Sequence, residues 1–132
     1  MNHSNIFVYG TLMDERVVRR LIDRAPIYRS ATLLGFHRYR IVDKVYPGIR
    51  QKHGGRVDGF LIALSKDEER IIDEFEGHCY CKEKVAVECD GSLVNCQTYV
   101  WAREMADQLY DSWDFNAHFA PHVEWYLSLD DM

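Results

Sequence analysis

A short apolar strand that ends in a glycine turn and leads into a helix is the feature that most limits how this chain can fold. The apolar run over residues 6–9 stops at Gly10. Such a run is typical of a strand covered on both faces, so we predict a strand over residues 5–9. After the glycine, Val17 and Leu21 recur at helical spacing, with acidic residues early and basic residues later. The chain is therefore predicted to open as strand, tight turn and helix.

A second strand–helix junction follows near the middle of the chain. Residues 56–64 are rich in strand-forming residues and stop at Ser65. Ser65 and Glu68 are three residues apart, which is the pattern of a capping box at a helix N-terminus. Gly77 is expected to end this helix in a left-handed conformation.

The remaining elements are mostly strands. Residues 28–42 alternate loosely and predict one or two strands, and residues 46–48 carry the residues of a turn. The Asp-Gly pair at positions 90–91 lies between two strand-like runs and predicts a hairpin, and helical segments are expected after position 104. This mixed order predicts an α+β fold, with a mixed, barrel-like β-sheet and flanking helices.

Length and composition limit the classes of function. With 132 residues, 47% of them apolar, the chain is expected to form a single domain over residues 1–132. A net charge of −5 disfavours binding to nucleic acid, which requires clustered Lys and Arg. No apolar stretch is long enough to span a membrane, and no secretory signal is visible at the start. We therefore expect a cytoplasmic protein without nucleic-acid or membrane partners.

The turn at Gly10 is one candidate for a binding site. A strand that ends in glycine and leads into a helix exposes backbone N–H groups at the positive end of the helix dipole, where an anion such as a carboxylate can bind. The glycines of dinucleotide- and phosphate-binding loops are missing, so a nucleotide is not indicated. The alternative is a plain turn that binds nothing.

Glu76 is the other candidate. It falls at the predicted C-terminus of a helix, where the dipole disfavours negative charge, and Asp73 lies on the same face three residues earlier. Both effects raise the pKa of a carboxyl group, which then serves as a general base near neutral pH. The alternative is a solvated acidic helix end.

Metal binding is not expected. The spacing of the first cysteine pair fits a zinc site poorly, and the later two cysteines are not opposite each other in the predicted hairpin. The two histidines that are four residues apart have a proline between them and lack a neighbouring glutamate. We predict free thiols and surface imidazoles for Cys79, Cys81, Cys89, Cys96, His118 and His122.

Taken together, the motifs resemble the gamma-glutamylcyclotransferase-like family, and within it the plant-type avirulence-induced-gene-like branch. The similarity extends over about residues 6–127. Its most specific parts are Tyr-Gly-Thr-Leu near the start and Asp-x-x-Glu-Gly later in the chain. The segments that carry it are 8–12, 46–49, 57–59, 72–77 and 110–115, together with Tyr80 and Val85.

This resemblance implies an enzyme that cyclises a γ-glutamyl compound to 5-oxoproline and releases an amine, without a cofactor or metal. It implies that Glu76 is the general acid/base. A non-catalytic protein that kept the pocket and binds a small metabolite or a partner is the alternative, and neither the leaving amine nor the oligomeric state can be predicted. The residues implied to bind the substrate are Tyr9, Gly10, Thr11, Leu12, Tyr46, Pro47 and Tyr80.

Overall fold

A computed structural model describes residues 3–129. Six strands alternate with four α-helices and three short 3₁₀ segments. The strands are β1 (His3–Val8), β2 (Arg29–Ile41), β3 (Pro47–Ser65), β4 (Tyr80–Cys89), β5 (Ser92–Trp101) and β6 (Leu109–Ser112). The α-helices are α1 (Glu15–Ile22), α2 (Lys66–Glu76), α3 (Phe115–His118) and α4 (Val123–Leu127), and the 3₁₀ segments are Thr11–Met13, Arg103–Gln108 and Ala120–His122.

The six strands form one mixed sheet that closes on itself. The strand order is β3-β1-β5-β4-β2-β6, and β2 also pairs with β3. Five strands therefore make a closed ring, and β6 extends it at β2. The β1–β5 pair is parallel and the other pairs are antiparallel. The predicted α+β class with a mixed, barrel-like sheet and flanking helices is confirmed.

The longest pairing joins β2 to β3, and it corrects one expectation. The region over residues 28–42 is a single strand, with a register shift next to Gly35, which has a φ of +85°. The turn predicted at residues 46–48 is wrong, because β3 already begins at Pro47 and the turn lies before it. A proline has no N–H to donate, and the first position of a strand is one of the few places in a sheet that tolerates it.

Both ends of α2 are held by local interactions. The Ser65 hydroxyl accepts from the Glu68 N–H at 3.1 Å, and the Glu68 carboxylate accepts from the Ser65 N–H at 2.9 Å, so the predicted capping box is present. Gly77 follows the helix with a φ of +77° and a ψ of −170°, so its φ is positive but it does not adopt the left-handed helical conformation that was expected. These two ends define Glu76 as the last residue of α2.

The core has two parts, one on each side of β1. Successive side chains of a strand point to opposite faces. Phe7 and Tyr9 accordingly join a cluster made of strand residues inside the ring, while Ile6 and Val8 join the cluster beneath the helices. The C-terminal helices cover this second cluster with buried aromatic side chains such as Phe119. Among residues 3–129, no helix is long and apolar enough to cross a membrane.

Candidate active site

One cavity of about 150 Å³ lies where the end of β1, the C-terminus of α2 and the first residues of β3 and β4 meet. Cavities of about this volume hold a molecule the size of benzene, so this one suits a small metabolite or the end of a larger one. All the residues singled out from the sequence line it, namely Tyr9, Gly10, Thr11, Leu12, Tyr46, Pro47, Glu76 and Tyr80. Sequence reasoning missed Phe7, Val8, Phe75, Cys79, Tyr99, Trp101 and Tyr126, which complete the lining.

Glu76 contributes the carboxyl group of the cavity. Burial raises the pKa of Glu76 from its ordinary value of 4.5 to about 8, and the nearby Asp73 carboxylate adds to the increase. The residue keeps partial contact with solvent, but the protein atoms around the carboxyl group replace most of its hydration. Among residues 3–129, no hydrogen bond to the Glu76 carboxyl group stabilises its charged form. Glu76 is therefore able to accept and return a proton near neutral pH.

The loop over residues 9–12 forms another part of the cavity lining. After Gly10 the chain makes a 3₁₀ turn, in which the Met13 N–H donates to the Gly10 carbonyl oxygen at 2.9 Å. The first N–H groups of such a turn have no partner inside it. Within the described part of the chain, the N–H groups of Gly10, Thr11 and Leu12 donate to no other protein group. Main-chain donors are thus available at the cavity.

Hydrogen bonds between neighbouring elements hold the aromatic walls in place. The Tyr80 hydroxyl donates to the Pro47 carbonyl oxygen at 2.7 Å. The Tyr80 and Trp101 rings pack edge to face, with their centres 5.2 Å apart. The Tyr9 hydroxyl donates to the Tyr99 carbonyl oxygen at 2.5 Å. These contacts tie the loop after β1 to β5, and β4 to the start of β3.

Four of the phenol groups around the cavity are neutral near pH 7. Burial raises the pKa values of Tyr9, Tyr80 and Tyr99 well above the ordinary range, and it raises the pKa of Tyr126 to about 12. None of the described residues that line the cavity is Lys, Arg or His. Glu76 is therefore the one carboxyl group of the described lining, and with a pKa of about 8 it changes charge near neutral pH.

Arg38 supports the loop over residues 9–12, and nothing in the sequence pointed to it. Its guanidinium group donates to the Tyr9 carbonyl oxygen at 2.8 Å and lies 5.3 Å from the centre of the Trp113 ring. The Trp113 indole N–H donates to the Val45 carbonyl oxygen at 2.9 Å, next to Tyr46. Burial lowers the pKa of Arg38. One partly buried cation and one indole thus hold the segments on both sides of the cavity.

Comparison with known proteins assigns the chain to a family. The family described as gamma-glutamyl cyclotransferase, AIG2-like, matches residues 6–117. The chain belongs to this AIG2-like gamma-glutamyl cyclotransferase family. It is 40% identical to AIG2-like protein D of Arabidopsis thaliana over 131 residues, which cover 96% of this chain and 86% of that protein.

The relatives of this AIG2-like chain extend to solved structures and to an archaeal protein. A solution structure of an Arabidopsis thaliana protein is similar with a TM-score of 0.77 and 31% identity, and the match covers 96% of this chain and 79% of that one. A Methanocaldococcus jannaschii protein whose name includes gamma-glutamylcyclotransferase is 31% identical over 103 residues, which cover 75% of this chain and 46% of that protein. A structure named gamma-glutamyl cyclotransferase shares the fold, with a TM-score of 0.69 at 19% identity over 76% of this chain and 68% of that one.

The AIG2-like chain shows no metal centre in its described region. Among residues 3–129, no group of three His, Cys, Asp or Glu side chains could hold a metal ion. The His118 imidazole Nδ1 accepts from the Asp114 N–H at 2.8 Å, at the start of α3. The cysteines are free thiols, and in the hairpin Cys89 faces Ser92 while Cys96 faces Val85. The geometry offers one carboxyl group, main-chain donors and neutral phenols for chemistry.

Proposed function

We propose that this protein is a γ-glutamylcyclotransferase, an acyl-transfer enzyme that forms 5-oxoproline. The observation that carries the proposal is the position of Glu76. Its carboxyl group, whose pKa burial raises to about 8, shares a small cavity with a loop that has unpaired main-chain N–H donors. Membership of the AIG2-like family supports the same reaction class.

The reaction needs a proton taken from one nitrogen and a proton given to another, and one carboxyl group can do both in turn. At neutral pH the α-amino group of the substrate is an ammonium ion, which is not a nucleophile. In the proposed mechanism the Glu76 carboxylate takes a proton from this ammonium group. The amine nitrogen then attacks the γ-carbonyl carbon, and a five-membered ring forms. Glu76 returns this proton to the leaving nitrogen, the original amide C–N bond breaks, and the Glu76 carboxylate takes the second proton from the nitrogen of the new ring. 5-Oxoproline and a free amine remain, and Glu76 releases the last proton to solvent.

The cavity walls supply binding and orientation in this proposal. The N–H groups of Gly10, Thr11 and Leu12 receive the α-carboxylate, because they are the donors without protein partners. Neutral phenol groups at Tyr9 and Tyr80 add polar surface without adding charge. Ring closure is unimolecular, so holding the glutamyl chain in a folded conformation supplies much of the rate acceleration. No step needs a metal or a cofactor.

The size of the cavity and the charge of the chain support a further part of the proposal, which concerns the substrate class, the partners and the compartment. The small cavity favours a small-molecule γ-glutamyl compound as the substrate. The net charge of −5 disfavours a nucleic-acid partner, whose phosphates are also negative. We place the enzyme in the cytoplasm and expect no membrane partner.

A screen of γ-glutamyl amino acids, γ-glutamyl amines and glutathione for 5-oxoproline release tests the proposal. On the best substrate, Glu76→Gln should lower kcat by about 10²–10⁴-fold, the usual contribution of a general acid/base group. The amide has nearly the same shape but cannot accept a proton at neutral pH. Glu74→Gln is the matched control, because Glu74 is exposed on the same helix.

Two results would contradict the proposal. Unchanged turnover in a well-folded Glu76→Gln variant would reject Glu76 as the base. A wild type that is inactive on the whole panel, yet binds a γ-glutamyl compound, would favour the alternative of a non-catalytic binding protein.

A further inference from the structure

Behind the cavity, a chain of ionic contacts leads from α2 to β4. The Lys82 ammonium group lies 2.9 and 3.0 Å from the two carboxylate oxygens of Asp73, and it also contacts the Glu69 carboxylate. The Tyr99 hydroxyl donates to Asp73 Oδ1 at 2.5 Å. Glu69 is buried, whereas the Lys82 side chain keeps 24% of its exposure. Lys82 is thus shared by two carboxylates on one face of α2.

Asp73 connects this cluster to the proposed base. It lies one helical turn before Glu76 on α2, and its charge acts on the Glu76 carboxyl group. Besides the Cys79 thiol, the other titratable groups that line the cavity with Glu76 are five phenols, and burial raises the pKa of four of them. They come from the end of β1, the loop before β3, β4, β5 and α4, and are Tyr9, Tyr46, Tyr80, Tyr99 and Tyr126.

We propose that Lys82 is a positioning residue for the Glu76 base: it holds Asp73 in place and offsets the negative charge that Asp73 presents to Glu76. This role rests on the proposed function of Glu76. Lys82 does not line the cavity, so it acts through Asp73 and not on the substrate. Without this cation, Glu76 would face an unbalanced carboxylate and would ionise less readily.

Substitutions of Lys82 and of Asp73 are expected to have opposite effects on the ionisation midpoint of Glu76. Lys82→Met removes the cation that contacts both carboxylate oxygens of Asp73 and leaves the Asp73 side chain in place. The repulsion on Glu76 grows, and its midpoint of ionisation moves to higher pH. Asp73→Asn removes the repelling charge itself and moves the midpoint to lower pH. Each shift should be roughly half to one pH unit, because water screens these partly exposed groups.

Carboxyl ¹³C NMR titration of glutamate-labelled protein measures these midpoints without requiring activity. The Glu76→Gln variant identifies the signal of Glu76. We expect an upward shift in Lys82→Met, a downward shift in Asp73→Asn and a near-wild-type midpoint in Lys82→Arg, which keeps the charge. Lys84→Met is the matched control, because Lys84 is exposed two residues further along β4, and it should leave the midpoint unchanged.

Stability needs its own control, because Lys82→Met leaves the buried Glu69 without its cation. If thermal melts show that this variant does not fold, the double variant Glu69→Gln/Lys82→Met removes both charges and should still shift the midpoint upward. Equal midpoints in wild type, in Asp73→Asn and in the folded Lys82 variant would overturn the role of Lys82. A shift of the same sign in both single variants would also overturn it.

Kinetics provide the second readout and separate this inference from the proposed reaction. If the wild type releases 5-oxoproline, Lys82→Met should lose roughly 3- to 10-fold in kcat/KM at pH 7 and recover above pH 9, as expected from a shift of half to one unit. Lys82→Arg should keep the wild-type profile. An active wild type with an unshifted Lys82→Met profile contradicts the role of Lys82 alone. An inactive wild type contradicts the proposed reaction, and the NMR titration then still decides whether Lys82 acts on Glu76.

Discussion

Gly10 and Pro47 are in such close contact that there is no room between them for a Cβ atom. A Cβ built on Gly10 would lie 2.8 Å from Pro47 Cδ and 2.9 Å from Pro47 Cγ. The proline ring is stiff and Pro47 is buried, so neither side can move away easily. This contact sets the distance between two walls of the cavity.

Gly10→Ala should therefore destabilise the protein and disturb the cavity. Forcing an extra carbon into a packed site costs about 1–3 kcal/mol, and the displaced loop should raise KM for a γ-glutamyl substrate. Urea unfolding and steady-state kinetics measure the two effects. Pro47→Ala removes the colliding ring atoms, so Gly10→Ala should cost at least about 0.5 kcal/mol less in that background. Strict additivity of the two substitutions would show that the contact is unimportant.

The raised pKa of Glu76 should make the stability of the wild type depend on pH. In the unfolded chain Glu76 ionises near its ordinary value of 4.5, whereas burial raises the folded-state pKa to about 8. Between these values the native state binds more protons than the unfolded state, so the wild-type free energy of unfolding falls as pH rises from about 4.5 to 8. Glu76→Gln removes this loss, which is on the order of 2–5 kcal/mol at about 1.4 kcal/mol per pKa unit.

Urea unfolding at several pH values between 5 and 9 measures this difference. The unfolding free energy of Glu76→Gln minus that of the wild type should increase up to about pH 8 and then level off. Glu74→Gln should show no such increase, because Glu74 is exposed. A constant difference across the range would mean that the Glu76 carboxyl group is not desolvated.

Tyr80→Phe tests the hydrogen bond that joins β4 to the start of β3. The substitution leaves the carbonyl oxygen of the buried Pro47 without the Tyr80 hydroxyl donor that lies 2.7 Å away, in a partly buried position. An unsatisfied buried acceptor costs about 1–3 kcal/mol, and the loss should appear in urea unfolding. Tyr110→Phe is the control, because Tyr110 is exposed and its contact with Arg40 uses the ring. Equal stability of both variants and the wild type would contradict the structural importance of this bond.

The cysteines should differ in reactivity and should not carry zinc. Cys81 is exposed, whereas Cys89 and Cys96 are buried, and burial raises the pKa of Cys96 to about 11. A thiol reagent should modify Cys81 first and reach the buried pair only on unfolding, since the thiolate is the reactive form. Cys81→Ser should abolish the fast phase. Stoichiometric zinc in the purified protein, or a disulfide that protects the thiols, would contradict this expectation.

The elements that the sequence predicted well depend on residues close together in the chain. The capping box at Ser65 and the hairpin at residues 90–91 formed as expected, because each needs only a few neighbouring residues. The turn near Pro47 was misplaced by a few residues. Its position depends on the pairing of β3 with a distant strand, and local turn signals do not contain that information.

For the candidate site, the sequence by itself determined which groups are available: a glycine turn after β1, and a carboxyl group at the end of α2. Only the tertiary structure decided that they line one cavity and that Glu76 is desolvated beside Asp73. Arg38 had no recognisable signal in the sequence, since an isolated cation in a strand is usually a surface residue. The physical reason is that burial and charge are properties of what surrounds an atom, and the surroundings of Glu76 come from parts of the chain that only folding brings together.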